Sequence, residues 1–527
     1  MNKRIKKKGT GKCCVNSIKY SQWGGVWLFI AICSTFTPFC PATAAEIVNV
    51  EYIVGFVKNK WGVDVPYVKE EIHWAANVEY LLKVVDYVNG KLNNGEKTNY
   101  GESEYATKEV VDTIAANQAI RTLIKKKKIE GGEFWYITDS SWVDIGIDGA
   151  CGTFTVDWGD GTTETIDNRD EEYADNCYAS FNHNYEDGVE QHKITLRGNA
   201  TKYSEEWMGI SFGEGADALT EIGGCLGCIF HTQADGSQPL FEDTFADARI
   251  TEIPAGLFDG IYGAGREYMF ESTFAYCKNL KSIPAGLFAN ITAGAPYMFA
   301  YTFYKSGITE IPDNLFASLE TGAELMFNGT FKGCENLTTI DDGMFASLKT
   351  GAEGMFNTTF AYCKNLTTIG DGMFASLKTG AELMFEATFA ACHNLSTIGD
   401  GMFASLKTGA ELMFNGTFIQ ASITEIPDNM FASLETGAGA MFYNTFAECT
   451  NLTKVGNILP KLTGPEDYPG SMFGATFSGD GALENTLRIG PAGKELWEMW
   501  PDVSERQYTY SGATQIPNYS SIPDVWR

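Results

Sequence analysis

The spacing of apolar residues changes twice along the chain. Between residue 46 and about 128, apolar positions recur three and four apart: Val50, Ile53, Val54 and Val57, then Val78, Leu81, Leu82, Val85 and Val88, then Val110, Val111, Ile114 and Ile120. That spacing predicts a helical domain over 46–132. From 133 the period falls to two. Phe154, Val156 and Trp158 share one face before a Gly159-Asp160-Gly161 turn, Thr162 to Ile166 supplies a returning strand, and His192 to Leu196 alternates again. A small β-sandwich over 133–202 is predicted.

From about 216 to 477 the chain repeats itself. The phenylalanine of a Met-Phe pair falls at Phe270, Phe299, Phe327, Phe356, Phe385, Phe414 and Phe442, in steps of 29, 28, 29, 29, 29 and 28. A second phenylalanine follows four residues on, as at Phe331 and Phe389, which on a helix is one turn away. Leu337 and Ile340 suit a short extended segment. One unit cannot bury three phenylalanines, a leucine and an isoleucine by itself, so units must stack. Burying one such side chain is worth about 1.5–3 kcal/mol, and a surface ion pair about 0–1 kcal/mol, so apolar stacking dominates. An atypical first unit near Leu219 and a degenerate last one near Phe477 give about eight units.

The period also sorts the other residues. Cys334, Cys363 and Cys392 are 29 apart, and Ser306 and Ala421 take their place in the shorter units. A position that accepts Cys, Ser or Ala reads as a small buried slot; Cys277 and Cys449 belong to the same set. Cys151 with Cys177, and Cys225 with Cys228, are the candidate disulfides. Asp342, Asp371 and Asp400 form one row; Lys349, Lys378 and Lys407 form another, each four residues before Glu353, Glu382 and Glu411 and near enough to pair on a helix. The aspartate row reads as a solvated acidic edge rather than a calcium site, since it lacks dense Asp-x-Asp-x-Asp spacing.

Composition supplies the address. The first 45 residues carry seven basic residues and no acidic one, then an apolar run from Val26 to Phe39, then Ala42-Thr-Ala-Ala45. This order predicts a signal peptide over 1–45. Formal net charge is -28 for the whole chain. Such acidity repels phosphate and argues against a nucleic-acid partner. The remaining chain has no stretch long and apolar enough to span a membrane. A secreted or cell-surface location is therefore expected.

Two resemblances sharpen the picture. Trp158-Gly-Asp-Gly161, with His183-Asn-Tyr185 and the strand from Ile194 to Gly198, resembles the polycystic-kidney-disease (PKD)-type module, which implies a spacer or a carbohydrate- or protein-binding accessory. Cys363-Lys-Asn-Leu366 with Ile369 and Phe374, and Cys277-Lys-Asn-Leu280 with Ile283-Pro284 and Phe288, resemble the BspA-like leucine-rich repeats of bacterial surface proteins. That resemblance implies an adhesin-like binder. The expected fold is thus α+β and multi-domain: a leucine-rich-repeat solenoid of about eight 29-residue repeats over 203–477, preceded by the helical domain and the PKD-like β-sandwich and followed by a C-terminal cap or tail over 478–527.

No catalytic, cofactor-binding or metal-ligating residue is assigned, and the chain is not expected to be an enzyme. Gly209-Ile-Ser211-Phe-Gly213 matches the nucleophile-elbow pattern, but no alternating strand–helix scaffold surrounds it. Asn336 and Asn415 head glycosylation-like triplets that belong to the repeat itself. The expected function is recognition of an extracellular protein or glycan. A component of a secreted glycan-degrading system and a structural surface-layer protein are the alternatives.

Overall fold

A computed structural model describes residues 132–527, apart from 187, 189–190, 214–215, 314, 463–471, 481–493, 501–506 and 517–518. The segments read as a signal peptide and a helical domain lie outside the described residues, except for Gly132. The described residues all belong to one compact unit, 127–527.

The first part is a pair of antiparallel sheets. Strands β1 (Gly132–Thr138), β3 (Ala150–Asp157), β4 (Thr163–Asp167), β6 (His192–Tyr203) and β8 (Leu219–Gly224) form one sheet in the order β4-β3-β6-β1-β8. Strands β2 (Trp142–Asp148), β5 (Tyr178–Asn184) and β7 (Gly209–Phe212) form the other, in the order β5-β2-β7. Alternate residues of β1, β2, β3 and β5 turn inward, so Phe134, Tyr136, Ile145, Phe154, Val156 and Phe181 are buried between the sheets. Cys151 and Cys177 are bonded, as are Cys225 and Cys228.

This core does not end at β8. Phe212 stacks on Phe245 at 5.7 Å, Phe134 lies 5.8 Å from Phe245, and Phe154 stacks on Phe230 at 5.5 Å. Arg249 Nη2 reaches both carboxylate oxygens of Asp139 at 2.5 Å. One apolar cluster therefore runs from Phe134 through the repeats to Trp526.

The α+β leucine-rich-repeat solenoid expected from the sequence is not what the described residues form. They are strands, small sheets and turns, and the α-helices among them, Leu226–Ile229 and Leu496–Met499, have four residues each. The misreading has a backbone cause. Within each Met-Phe-x-x-Thr-Phe segment, every fourth residue has positive φ: Leu325 (49°), Gly329 (59°) and Gly333 (72°), and likewise Tyr297 (53°), Tyr301 (53°) and Lys305 (52°). A left-handed residue at every fourth position breaks an α-helix, so the four-residue spacing of the phenylalanines marks successive tight turns instead.

Those turns bond in two directions. Leu325, Phe327, Gly329, Phe331 and Gly333 each donate their backbone N–H to the next repeat, to the carbonyls of Glu353, Met355, Asn357, Thr359 and Ala361 at 2.8–3.0 Å. The residues between them, Met326, Asn328, Thr330, Lys332 and Cys334, donate three residues back within their own turns. Elsewhere in the unit, two-residue strands pair in parallel, Thr339–Ile340 with Thr368–Ile369 and Glu425–Ile426 with Lys454–Val455.

In-register bonding places like on like. Phe241, Phe270, Phe299, Phe327, Phe356, Phe385, Phe414, Phe442 and Phe473 stack face to face at 5.3–5.7 Å. A second column begins at Phe212 and Phe245 and ends with Phe477 on Tyr510 at 5.8 Å. Buried threonines are bonded between levels: Thr359 Oγ1 donates to the carbonyl of Phe327 and Thr388 Oγ1 to that of Phe356, both at 2.9 Å. The cysteine thiols do the same, Cys363 to Phe331 and Cys392 to Phe360. Burial raises their pKa values and keeps them protonated, so they are inert packing groups. Gly322, Gly351, Gly380 and Gly409, each in a Thr-Gly-Ala sequence, clear space for a thioether: a Cβ on Gly351 would stand 2.7 Å from Met384 Sδ and 3.0 Å from the Thr379 carbonyl oxygen.

At the far end Asp480 takes the cysteine slot, three residues after Phe477 as Cys449 is after Phe446. It is fully buried, and neither carboxylate oxygen has a hydrogen-bond partner among the described residues. Burial pushes its pKa up to about 9.

Two outcomes follow from this packing. Gly351→Ala should destabilise the chain by about 1–3 kcal/mol in a denaturant melt, because the thioether and a main-chain oxygen must both yield; an unchanged midpoint would refute the notch. For Asp480 the folded pKa lies above the unfolded one, so its stability contribution is complete below about pH 4 and is lost as pH rises through about 9. Asp480→Ala, which installs the residue that Ala421 places in the same slot, should raise the melting temperature at pH 8 more than at pH 4. An equal or opposite shift at the two pH values would contradict this.

Candidate functional site

The Trp158-Gly-Asp-Gly161 turn and the His183-Asn-Tyr185 segment are held together by their rings. Trp158 stacks on His183 at 4.8 Å, His183 meets Tyr185 edge-on at 4.6 Å, and Tyr185 stacks on His192 at 3.5 Å. The Tyr185 hydroxyl donates to the Trp158 carbonyl at 2.6 Å. Asp160 accepts the N–H and hydroxyl of Thr162 and pairs with His183 at 2.9 Å, and those bonds lower its pKa to about 2. Each group of the motif has a partner within the turn or its neighbouring strands, which makes the motif a clamp on strand geometry.

The other residues singled out by sequence also have structural occupations. Ser211 lies within β7, opposite Gly146, on a straight strand rather than a strand–turn–helix elbow. Asp342 Oδ1 accepts the backbone N–H of Asp371, and Asp371 Oδ1 that of Asp400, each at 2.7 Å, so the aspartate row stitches levels together. Lys349 does not pair with Glu353, because the segment is not helical; it bonds Glu320, its counterpart one repeat earlier, at 2.8 Å. Asn336 Nδ2 donates to the Gly307 carbonyl at 3.4 Å and Asn415 Nδ2 to Glu386 at 2.9 Å.

What the sequence reading missed is a tyrosine face. The outer edge of the turns carries three rows of positive-φ residues, one row for each left-handed position. In the first row Tyr268 and Tyr297 (φ 58° and 53°) precede Leu325 and Gly354; in the second Tyr301 precedes Gly329; in the third Tyr276 (φ 59°) is followed by Lys305, Gly333 and Tyr362 (φ 62°). Left-handed backbone is cheap for glycine and costs a bulky residue roughly 1–2 kcal/mol. Sister repeats place glycine at Gly329, Gly333 and Gly354 and leucine, alanine, threonine or lysine at most other corners, as at Leu325, Ala387, Thr358 and Lys305, whereas the early repeats place tyrosine.

The rings are ordered. Tyr268 and Tyr297 stack at 5.0 Å with a 22° tilt. Tyr301 lies flat over the next level, where a Cβ on Gly329 would stand 2.5 Å from its ring, and its hydroxyl accepts Asn328 Nδ2 at 3.3 Å. Tyr276 and Tyr304 meet edge-on at 5.1 Å, and Lys305 Nζ sits 4.9 Å from the Tyr304 ring centre. Tyr268 and Tyr276 are each 36% exposed and Tyr362 is 51% exposed. A pre-ordered aromatic surface of this kind offers stacking at low entropic cost. Aligning the repeats on their phenylalanines would have revealed it as tyrosine standing where other units have glycine or leucine.

Among the described residues no helix is long and apolar enough to cross a membrane. No family model matches the chain, and no curated protein or solved structure is significantly similar to it.

Proposed function

We propose that this chain is an exported, non-catalytic binding protein of the cell surface, adhesin-like, which recognises an extracellular protein or glycan through the tyrosine face of its stacked repeats. The basic, apolar and small-residue order of the first 45 residues supports export, and the Cys-x-Asn-Leu signature supports kinship with BspA-like surface proteins. The observation that carries the reading is the choice of tyrosine at Tyr268, Tyr276, Tyr297 and Tyr301, at corners where other units place glycine or residues such as Leu325, Ala387 and Leu412. Large aromatic rings clustered on one partly exposed edge, where other units place small or aliphatic residues, point to a task outside folding.

The same observation supplies a test that separates binding from stability. Tyr268→Gly/Tyr297→Gly loses one ring stack, about 0.5–1.5 kcal/mol, and relieves two left-handed tyrosines. The double variant should melt within a few degrees of the parent and lose retention on glycan and matrix-protein arrays. A large drop in melting temperature, or array binding that survives, would overturn the assignment of this face.

A further inference from the structure

If the tyrosine face is the binding face just proposed, the first levels of the stack also say what kind of ligand it meets. Glu242 and Asp243 are exposed there, with Glu271 half-buried beside them. The Asp243 N–H donates to the Glu271 carbonyl at 3.0 Å, which sets the three carboxylates on adjacent levels, and the Glu271 N–H donates to the carbonyl of Tyr268 at 3.0 Å. Burial, then the charges of Glu242 and Asp243, push the Glu271 carboxyl up to about 7. Burial also raises Glu242 and Asp243, with the Asp243 charge adding to the effect at Glu242.

Cations of the first levels have other partners. Arg266 donates to the carbonyls of Gln238 at 3.2 Å and Glu205 at 3.1 Å. Arg249 is bonded to Asp139, and Lys305 lies over Tyr304 and Tyr276. Among the described residues, none of these carboxylates has a salt-bridge partner. Negative charge concentrated beside ordered aromatic rings repels an anionic ligand, and a neutral sugar gains nothing from that charge. A guanidinium or ammonium group gains from both, by charge complementarity and by lying against a ring face.

We propose that the first three levels of the stack, those of Phe241, Phe270 and Phe299, receive a basic, arginine- or lysine-rich segment of a partner protein. Its cationic groups lie against Glu242, Asp243 and Glu271, and its side-chain planes and stems lie on Tyr268 and Tyr297.

The test uses the full chain and a fluorescent hexa-arginine peptide, read by anisotropy, with a neutral cello-hexasaccharide as the competing probe. Glu242→Gln/Glu271→Gln should weaken peptide binding at least tenfold. Glu353→Gln/Glu382→Gln, which removes the same charge from later levels, should change it less than twofold. Equal losses in the two pairs would mean adsorption to a generally acidic surface and would overturn the proposal. Hexasaccharide binding that needs Tyr268 and Tyr297 but ignores the glutamine pair would also overturn it, while leaving the tyrosine face as the binding face. Peptide binding indifferent to Tyr268→Gly/Tyr297→Gly would overturn that underlying reading as well.

Discussion

Main-chain hydrogen bonding between levels is the constraint from which the rest of this architecture follows. A run of tight turns leaves half of its N–H groups without a partner inside the run, and buried N–H groups must be paired. Here the alternate residues from Leu325 to Gly333 find the carbonyls of the next repeat, while those between close their own turns. The bonding fixes the step between levels at one repeat, and every side chain lands on its equivalent. Phenylalanine columns, threonine hydroxyls on phenylalanine carbonyls and the cysteine slot are consequences of that register. Apolar burial supplies the bulk of the driving force, and the main chain decides which residue faces which.

How much of this was legible in the sequence depended on whether the signal lay in the spacing or in the backbone. The 29-residue period is visible from the Met-Phe pairs, and the exchange of Cys334 for Ser306 and Ala421 already marks a small buried site. The element type was not visible. Four-residue spacing of Phe327 and Phe331 reads as a helical turn, because nothing in the side chains announces that Leu325 or Lys305 has positive φ. The mistaken Lys349–Glu353 pair has the same origin, since it presumed a helix where the chain bonds level to level. Asp480 in the cysteine slot was hidden by the irregular last unit.

The tyrosine face was hidden for a different reason. Its residues are scattered in sequence at 268, 276, 297 and 301 and form no motif. They come together only because each sits at a left-handed corner of its own level. Structural uniformity along the stack is thus combined with chemical asymmetry: the early levels carry rings and carboxylates, and later ones carry Leu383, Ala387, Ala391 and Leu412 at the equivalent corners.

Because the units from Met326 to Leu412 present the same donors upward and the same acceptors downward, any one of them joins its neighbours as well as it joins a copy of itself. Loss or duplication of a whole unit by unequal crossing-over would leave the main-chain bonding at every junction unchanged. Height above the tyrosine-bearing levels is then a quantity that inheritance can adjust in whole storeys, independently of what those levels recognise.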